Sequence, residues 1–248
     1  LGANHEQIAD WQPAAGRRSL YDFVRLRATR HSRQAVAEAG KLAVAAVAAG
    51  GCRTPRSLLP ADYYSATVGA YAPDSGFNAW GILGTLALSQ SVPPGAVAAL
   101  AAQQQADGGW EWQPGFGTDT NTTALAVQTL IAAGYEVTHT QVVSGLAFLK
   151  LGQGADGGFV YDPAAPDYGA DANSTAYALL ALAAAGEDAQ ADAWTVEGNT
   201  AVDFLLSLQQ PDGSLEWQAG TGPNLLATAQ AVTALLGESY PLRVGELA

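Results

Sequence analysis

Two six-residue stretches set a carboxylate, an amide and hydroxyls at matching spacing: Asp119-Thr120-Asn121-Thr122-Thr123-Ala124 and Asp171-Ala172-Asn173-Ser174-Thr175-Ala176. Trp110, Trp112 and Trp217 stand beside further acids, Glu111 and Glu216. Carboxylates in such numbers suit glycoside cleavage if one is held protonated and a second stays ionised at a fixed separation. The spacing singles out no such pair. The tryptophans can stack on sugars, or they can wedge neighbouring elements together, which is the more economical expectation. Asp119-x-Asn121 and Asp171-x-Asn173 also offer oxygen pairs to calcium, but the glycine and distal glutamate of an EF-hand loop are missing. Cys52 is the only cysteine, and His5, His31 and His139 lack metal-ligand spacing, so neither zinc nor any other metal or cofactor is expected. A structural thiol is the default for Cys52.

The elements that must position these residues repeat. From residue 93 onward three units each carry an apolar helix, an Asp-Gly turn, a loop and a second helix. The first helices are PPGAVAALAAQQQ, VVSGLAFLKLGQ and NTAVDFLLSLQQ. The turns are Asp107-Gly108-Gly109, Asp156-Gly157-Gly158 and Asp212-Gly213-Ser214. The second helices, NTTALAVQTLIAAG, NSTAYALLALAAAG and NLLATAQAVTALLG, open on Asn121, Asn173 and Asn224 as N-caps and close on Gly134, Gly186 and Gly237. Being alanine-dense and apolar on most of their circumference, they are expected to be buried inner helices. Two weaker units precede. One has a degenerate turn at Asp74-Ser75-Gly76-Phe77 with Asn78 opening its second helix; the other is the inner helix SRQAVAEAGKLAVAAVAAG.

Charge is divided along the chain. Residues 1–56 hold nine of the eleven Lys and Arg against four acids, whereas residues 57–248 hold two bases, Lys150 and Arg243, against nineteen acids. So acidic a body disfavours nucleic acid as a partner, and the basic segment is expected to pack on acidic protein surface, its own or a partner's. No apolar stretch is long enough to span a bilayer. The chain has no methionine and begins LGANHEQ, which reads as a processed, secreted or extracytoplasmic form.

The turn motif resembles the QW repeat of triterpene cyclases: aromatic, aliphatic, three residues, Gln, then Gly-x-aromatic. Phe148-Leu149, Gln153 and Gly157-Gly158-Phe159 match it apart from Phe in place of Trp. Phe204-Leu205 with Gln209 keeps the front half, and Leu100, Gln104 and Gly108-Gly109-Trp110 keep the back half. Similar repeats occur across the prenyltransferase and squalene-cyclase-like superfamily, which includes protein prenyltransferase β subunits and cobalamin carriers. The resemblance covers roughly residues 40–237 and implies an all-α fold, an α/α toroid of about five helical hairpins with Gly-rich turns. Residues 1–34 would be a basic N-terminal segment, 35–240 the toroid and 241–248 a tail.

The resemblance also implies where activity would lie. In the cyclases an acid in an Asp-x-Asp-Asp-Thr-Ala motif protonates an alkene. Here Asp119 and Asp171 keep the first acid while Asn121 and Asn173 replace the central one, and an amide donates no proton to an alkene. The expectation is therefore a non-catalytic binding or scaffold domain. It would hold a protein partner, or an apolar ligand in a central cavity, through Trp110, Trp112, Asp119, Asn121, Asp171, Asn173, Trp217 and Asn224. The basic segment and an acidic rim (Asp107, Glu111, Asp156, Asp162, Asp167, Asp212 and Glu216 with the two aspartates) are the surfaces for a protein partner. The alternative is an isoprenoid cyclase or prenyltransferase-type enzyme in which Asp119 or Asp171 acts as the acid.

Overall fold

Every alanine-rich run named above is helical in the computed structural model, which describes residues 19–49 and 58–242. His5, Cys52 and most of the 241–248 tail lie outside the described residues. Nine α-helices occur among them: α1 Leu20–His31, α2 Val36–Ala48, α3 Ser75–Ala87, α4 Pro94–Ala102, α5 Thr120–Ala132, α6 Thr140–Leu151, α7 Ala172–Ala185, α8 Ala201–Ser207 and α9 Leu225–Leu235. A two-residue antiparallel pair, β1 Trp110–Glu111 and β2 Thr118–Asp119, closes the loop before α5. The chain separates into two compact units, one running to Ala102 and resuming at Tyr240, the other spanning Gln103–Ser239.

In the first unit α2 packs along α3. Gly40 and Gly84 meet at their crossing, and a Cβ on Gly40 would strike the carbonyl of Trp80, so only glycine allows this approach. Tyr240 returns to stack on Trp80 with ring centroids 5.3 Å apart. Helix α1 lies within the basic segment, and its start is closed by a capping box between Ser19 and Asp22.

The degenerate turn of this unit is not where the sequence suggested. Ser75 and Gly76 already belong to α3, with Asp74 at the N-cap position. The turn lies earlier, where a bridge pairs Ser65 with Ala70. Asn78 is a buried residue inside the helix, not its opener; its Oδ1 accepts the Tyr71 N–H at 3.1 Å and its Nδ2 donates to the Ala96 carbonyl at 2.8 Å.

In the second unit α5 and α7 are buried as expected, α5 packing on α7 with α6 against α5 and α8 against α7, whereas α9 packs on α7 by Ala227, Ala231 and Ala234 and leaves Leu225, Leu226, Val232 and Leu236 exposed. Each turn is built identically. The aspartate Oδ1 accepts the N–H two residues on, for Asp107 from Gly109 at 2.9 Å, for Asp156 from Gly158 at 3.0 Å and for Asp212 from Ser214 at 3.0 Å. The preceding glutamine ties the turn to the next segment: Gln104 Nε2 donates to the Gly108 and Gln141 carbonyls, and Gln153 Nε2 to those of Gly157 and Trp194.

The central glycine of each turn has a positive φ, +83° at Gly157 and +85° at Gly213, but their surroundings differ. A Cβ on Gly157 would collide with the backbone of Thr200, whereas one on Gly213 meets nothing within 4 Å. Gly213→Ala therefore carries only the backbone strain, about 1 kcal/mol. Gly157→Ala adds overpacking and costs about 3 kcal/mol. Denaturant unfolding of the two variants should show that difference in midpoint, and equal losses would mean that the Thr200 contact is not tight.

Candidate functional site

The register of the second unit follows from how its inner helices begin. Their N-caps are Asp119, Asp171 and Asn224. Asn121 and Asn173, expected as caps, sit two residues farther on within the helix, so Asn224 is the counterpart of the aspartates. The hydroxyl four residues after each cap accepts the backbone N–H of the apolar residue that follows the turn. Thr123 takes Trp110 at 2.9 Å, Thr175 takes Phe159 at 2.9 Å and Thr228 takes Leu215 at 2.8 Å. The first helical N–H then reaches forward to the next repeat, Thr120 to the Tyr161 carbonyl and Ala172 to the Trp217 carbonyl, both at 2.9 Å.

These bonds gather one face of α5, α7 and α9 around a cavity of about 390 Å³. Its aromatic wall is Trp112, Tyr161, Trp217 and Tyr177, of which the first three stand five residues after their turn aspartates. Leu125 and Leu226 add apolar surface, and Asn121, Asn173 and Gln230 contribute amides. Asp119 and Asp171 line it with Thr122 and Ser174, and among the described residues the lining includes no Lys, Arg or His. Among the described residues no three His, Cys, Asp or Glu cluster as metal ligands.

Both carboxylates are occupied. Asp119, 3 % exposed, accepts the Thr122 N–H at 2.7 Å and the Thr122 hydroxyl at 2.8 Å. Asp171 accepts N–H groups of Asn173 and Ser174, each at 2.9 Å, and the Ser174 hydroxyl at 2.7 Å. Burial nevertheless raises the Asp119 pKa above the usual carboxylate value, and hydrogen bonds from Thr122, the Asn121 N–H and the Tyr161 hydroxyl pull against it. Tyr161 is pushed up to about 12 by partial burial first and then by the Asp119 charge it faces. Asn173 donates to Gln230 across the cavity, from α7 to α9. The Asn121 Oδ1 is buried without a hydrogen-bond partner.

Six of the eight residues singled out from the sequence therefore surround one cavity. The other two have local roles. Trp110 is fully buried away from it, its ring against Gly145 of α6, where it wedges α5 and α6 together. Asn224 caps α9 by accepting the Ala227 N–H at 3.0 Å, and Leu226 takes the place that Asn121 and Asn173 hold in the other repeats. Tyr161, Tyr177, Leu125 and Gln230 were missed. Counting five residues from each turn aspartate finds Tyr161, and counting six from each cap finds the other three. Of the remaining rim acids, Glu111 accepts the N–H groups of Gly115 and Gly117, and Glu216 those of Gly220 and Gly222, so each holds its own loop closed.

The prenyltransferase alpha-alpha toroid domain matches this chain over residues 75–172 and 156–239. The chain belongs to that family, and its all-α architecture of hairpins joined by glycine turns is the family's toroid fold. No curated protein matches it.

Asparagine already fills the cap position of α9, so Asp119→Asn keeps the backbone cap while removing the ionisable group and the second acceptor oxygen that the Thr122 hydroxyl uses. Because the folded pKa of Asp119 lies above its ordinary 3.8, the native state binds more protons than the unfolded chain between those values. Stability contributed by this group thus falls as pH rises through that window. The variant should flatten the pH dependence of the unfolding free energy from pH 4 upward relative to the parent chain. An unchanged profile would mean that Asp119 titrates as an ordinary carboxylate.

Proposed function

We propose that the chain is a non-catalytic, extracytoplasmic binding domain that holds a small, largely apolar ligand in the cavity of its second unit. The observation that carries this reading is the employment of the two carboxylates: each is consumed as a helix cap while aromatic and aliphatic side chains form the walls. A catalytic acid must have a proton aimed at the reacting atom, whereas these oxygens face backbone N–H groups and hydroxyls. Transfer of a prenyl group from a diphosphate is disfavoured further, since among the described residues no cationic side chain lines the cavity to hold the leaving group.

One observation favours a second reading, that of an isoprenoid cyclase. Burial raises the Asp119 pKa above the usual carboxylate value, the direction that an acid for alkene protonation needs.

Native mass spectrometry of the chain isolated under non-denaturing conditions, followed by the Asp119→Asn/Asp171→Asn double variant, separates the readings. The binding domain predicts a co-purifying small molecule that the variant retains, with no conversion of a polyprene substrate by either protein. Turnover by the parent chain that the folded variant loses would overturn it in favour of the cyclase. A ligand-free chain bound stoichiometrically to a second protein would replace it with a scaffold.

A further inference from the structure

The side chains around the cavity also bear on the class of ligand, given the binding reading above on which this step rests. Four aromatic rings, Trp112, Tyr161, Tyr177 and Trp217, come from three consecutive repeats into one space. Two carboxylates share it, and among the described residues no base does. The positive ends of α5 and α7 arrive here, but each carries a capping aspartate whose full charge exceeds the half charge of a helix terminus. Residues 103–239, the unit that holds the cavity, carry sixteen acids against one base, so their field has the same sign as the wall. An anionic ligand is repelled by both.

A neutral polyol is poorly served for a different reason. Sugar hydroxyls need side-chain donors and acceptors left open to them, and most of those here are already engaged. Asn173 bonds Gln230, Asp171 bonds Ser174, Asp119 bonds Thr122, and Tyr161 bonds Asp119. What the cavity offers without rearrangement is aromatic surface and negative potential. Those are the two attractions that act on a cation too substituted to need hydrogen bonds.

We infer that the cavity is selective for an organic cation, a substituted ammonium carried on an apolar body. The rings and the aliphatic pair Leu125 and Leu226 receive the apolar part, and the ring faces with the two capping carboxylates favour the charge. Tyr177 is the specificity-determining residue that can be varied most safely, because α5 carries Leu125 at the matching position and the fold accepts leucine there.

The test is calorimetric titration of the full chain with three probes that share one tail: hexyltrimethylammonium, 1-hexanol and hexanesulfonate. The expected result is binding of the ammonium roughly tenfold or more tighter than the alcohol, with no heat from the sulfonate. Tyr177→Leu should weaken the ammonium several-fold and leave the alcohol within about twofold. Alcohol bound as tightly as ammonium would overturn the inference and leave an apolar-ligand cavity standing. Ammonium binding that survives both Tyr177→Leu and Trp217→Leu unchanged would be adsorption to the acidic surface, which also overturns it. Absence of heat with all three probes would overturn this inference together with the binding reading beneath it.

Discussion

The interaction on which the rest of the molecule depends is a hydrogen bond from the backbone just after each turn to a side chain four residues past the next helix cap. Asn78, Thr123, Thr175 and Thr228 each accept such a bond, from Tyr71, Trp110, Phe159 and Leu215. Three of the four are fully buried, and a buried N–H left unpaired costs about 1–3 kcal/mol. A one-residue slip of the inner helix would lose the bond and move the acceptor about 100° around the helix axis. The bond therefore fixes the rotation of each inner helix relative to its own turn. Once rotation is fixed, equivalent positions face the same way in every repeat: the residues two and six past each cap line the cavity of the second unit, joined in α5 and α7 by the cap itself and the residue three past it.

This constraint explains much of the acidity of the body. Turn aspartates at 107, 156 and 212 accept backbone N–H groups two residues on, Glu111 and Glu216 staple their loops, and Asp119 and Asp171 cap helices. An ionised carboxylate is the strongest acceptor available to a backbone donor, and charge-assisted bonds are roughly twice as strong as neutral ones. A repeat rich in glycine turns exposes many such donors and recruits acids to satisfy them. The resulting negative field is a by-product of folding that a binding site can then exploit.

How much of this was legible in the sequence depends on the kind of signal. Hairpins and turns follow from local chemistry, with Asp-Gly demanding a turn, and are found where expected from residue 93 onward; the alanine-dense α5 and α7 are buried as expected, but α9 leaves much of its apolar face exposed. The register of the caps was misread. Asn121 and Asn173 are good capping residues in isolation, but Asp119 and Asp171 accept both a backbone N–H and a hydroxyl, which an amide oxygen does less well. The first unit misled in another way. Asp74-Ser75-Gly76 has the composition of a turn, yet the Ser65–Ala70 bridge had already reversed the chain, leaving Asp74 free to start a helix. Tyr161 escaped notice because tryptophan draws attention by its rarity, whereas position within the repeat decides what reaches the cavity.

Position within the repeat also separates what the fold requires from what a ligand would require. Four residues past the cap the second unit carries Thr123, Thr175 and Thr228, invariant because the hydrogen bond is needed. Six residues past the cap it carries Leu125, Tyr177 and Gln230, an aliphatic, an aromatic and an amide, all on the cavity wall. Folding alone would tolerate the same residue three times there, and on the binding reading proposed above the variety answers to the shape and chemistry of the ligand. The acid at the cap behaves in the opposite sense. Asn224 shows that it can be exchanged for an amide while the helix start is kept. An aspartate at that place is therefore weak evidence of catalysis in this architecture, and the cap-plus-six side chains are where the specificity of the site has to be sought.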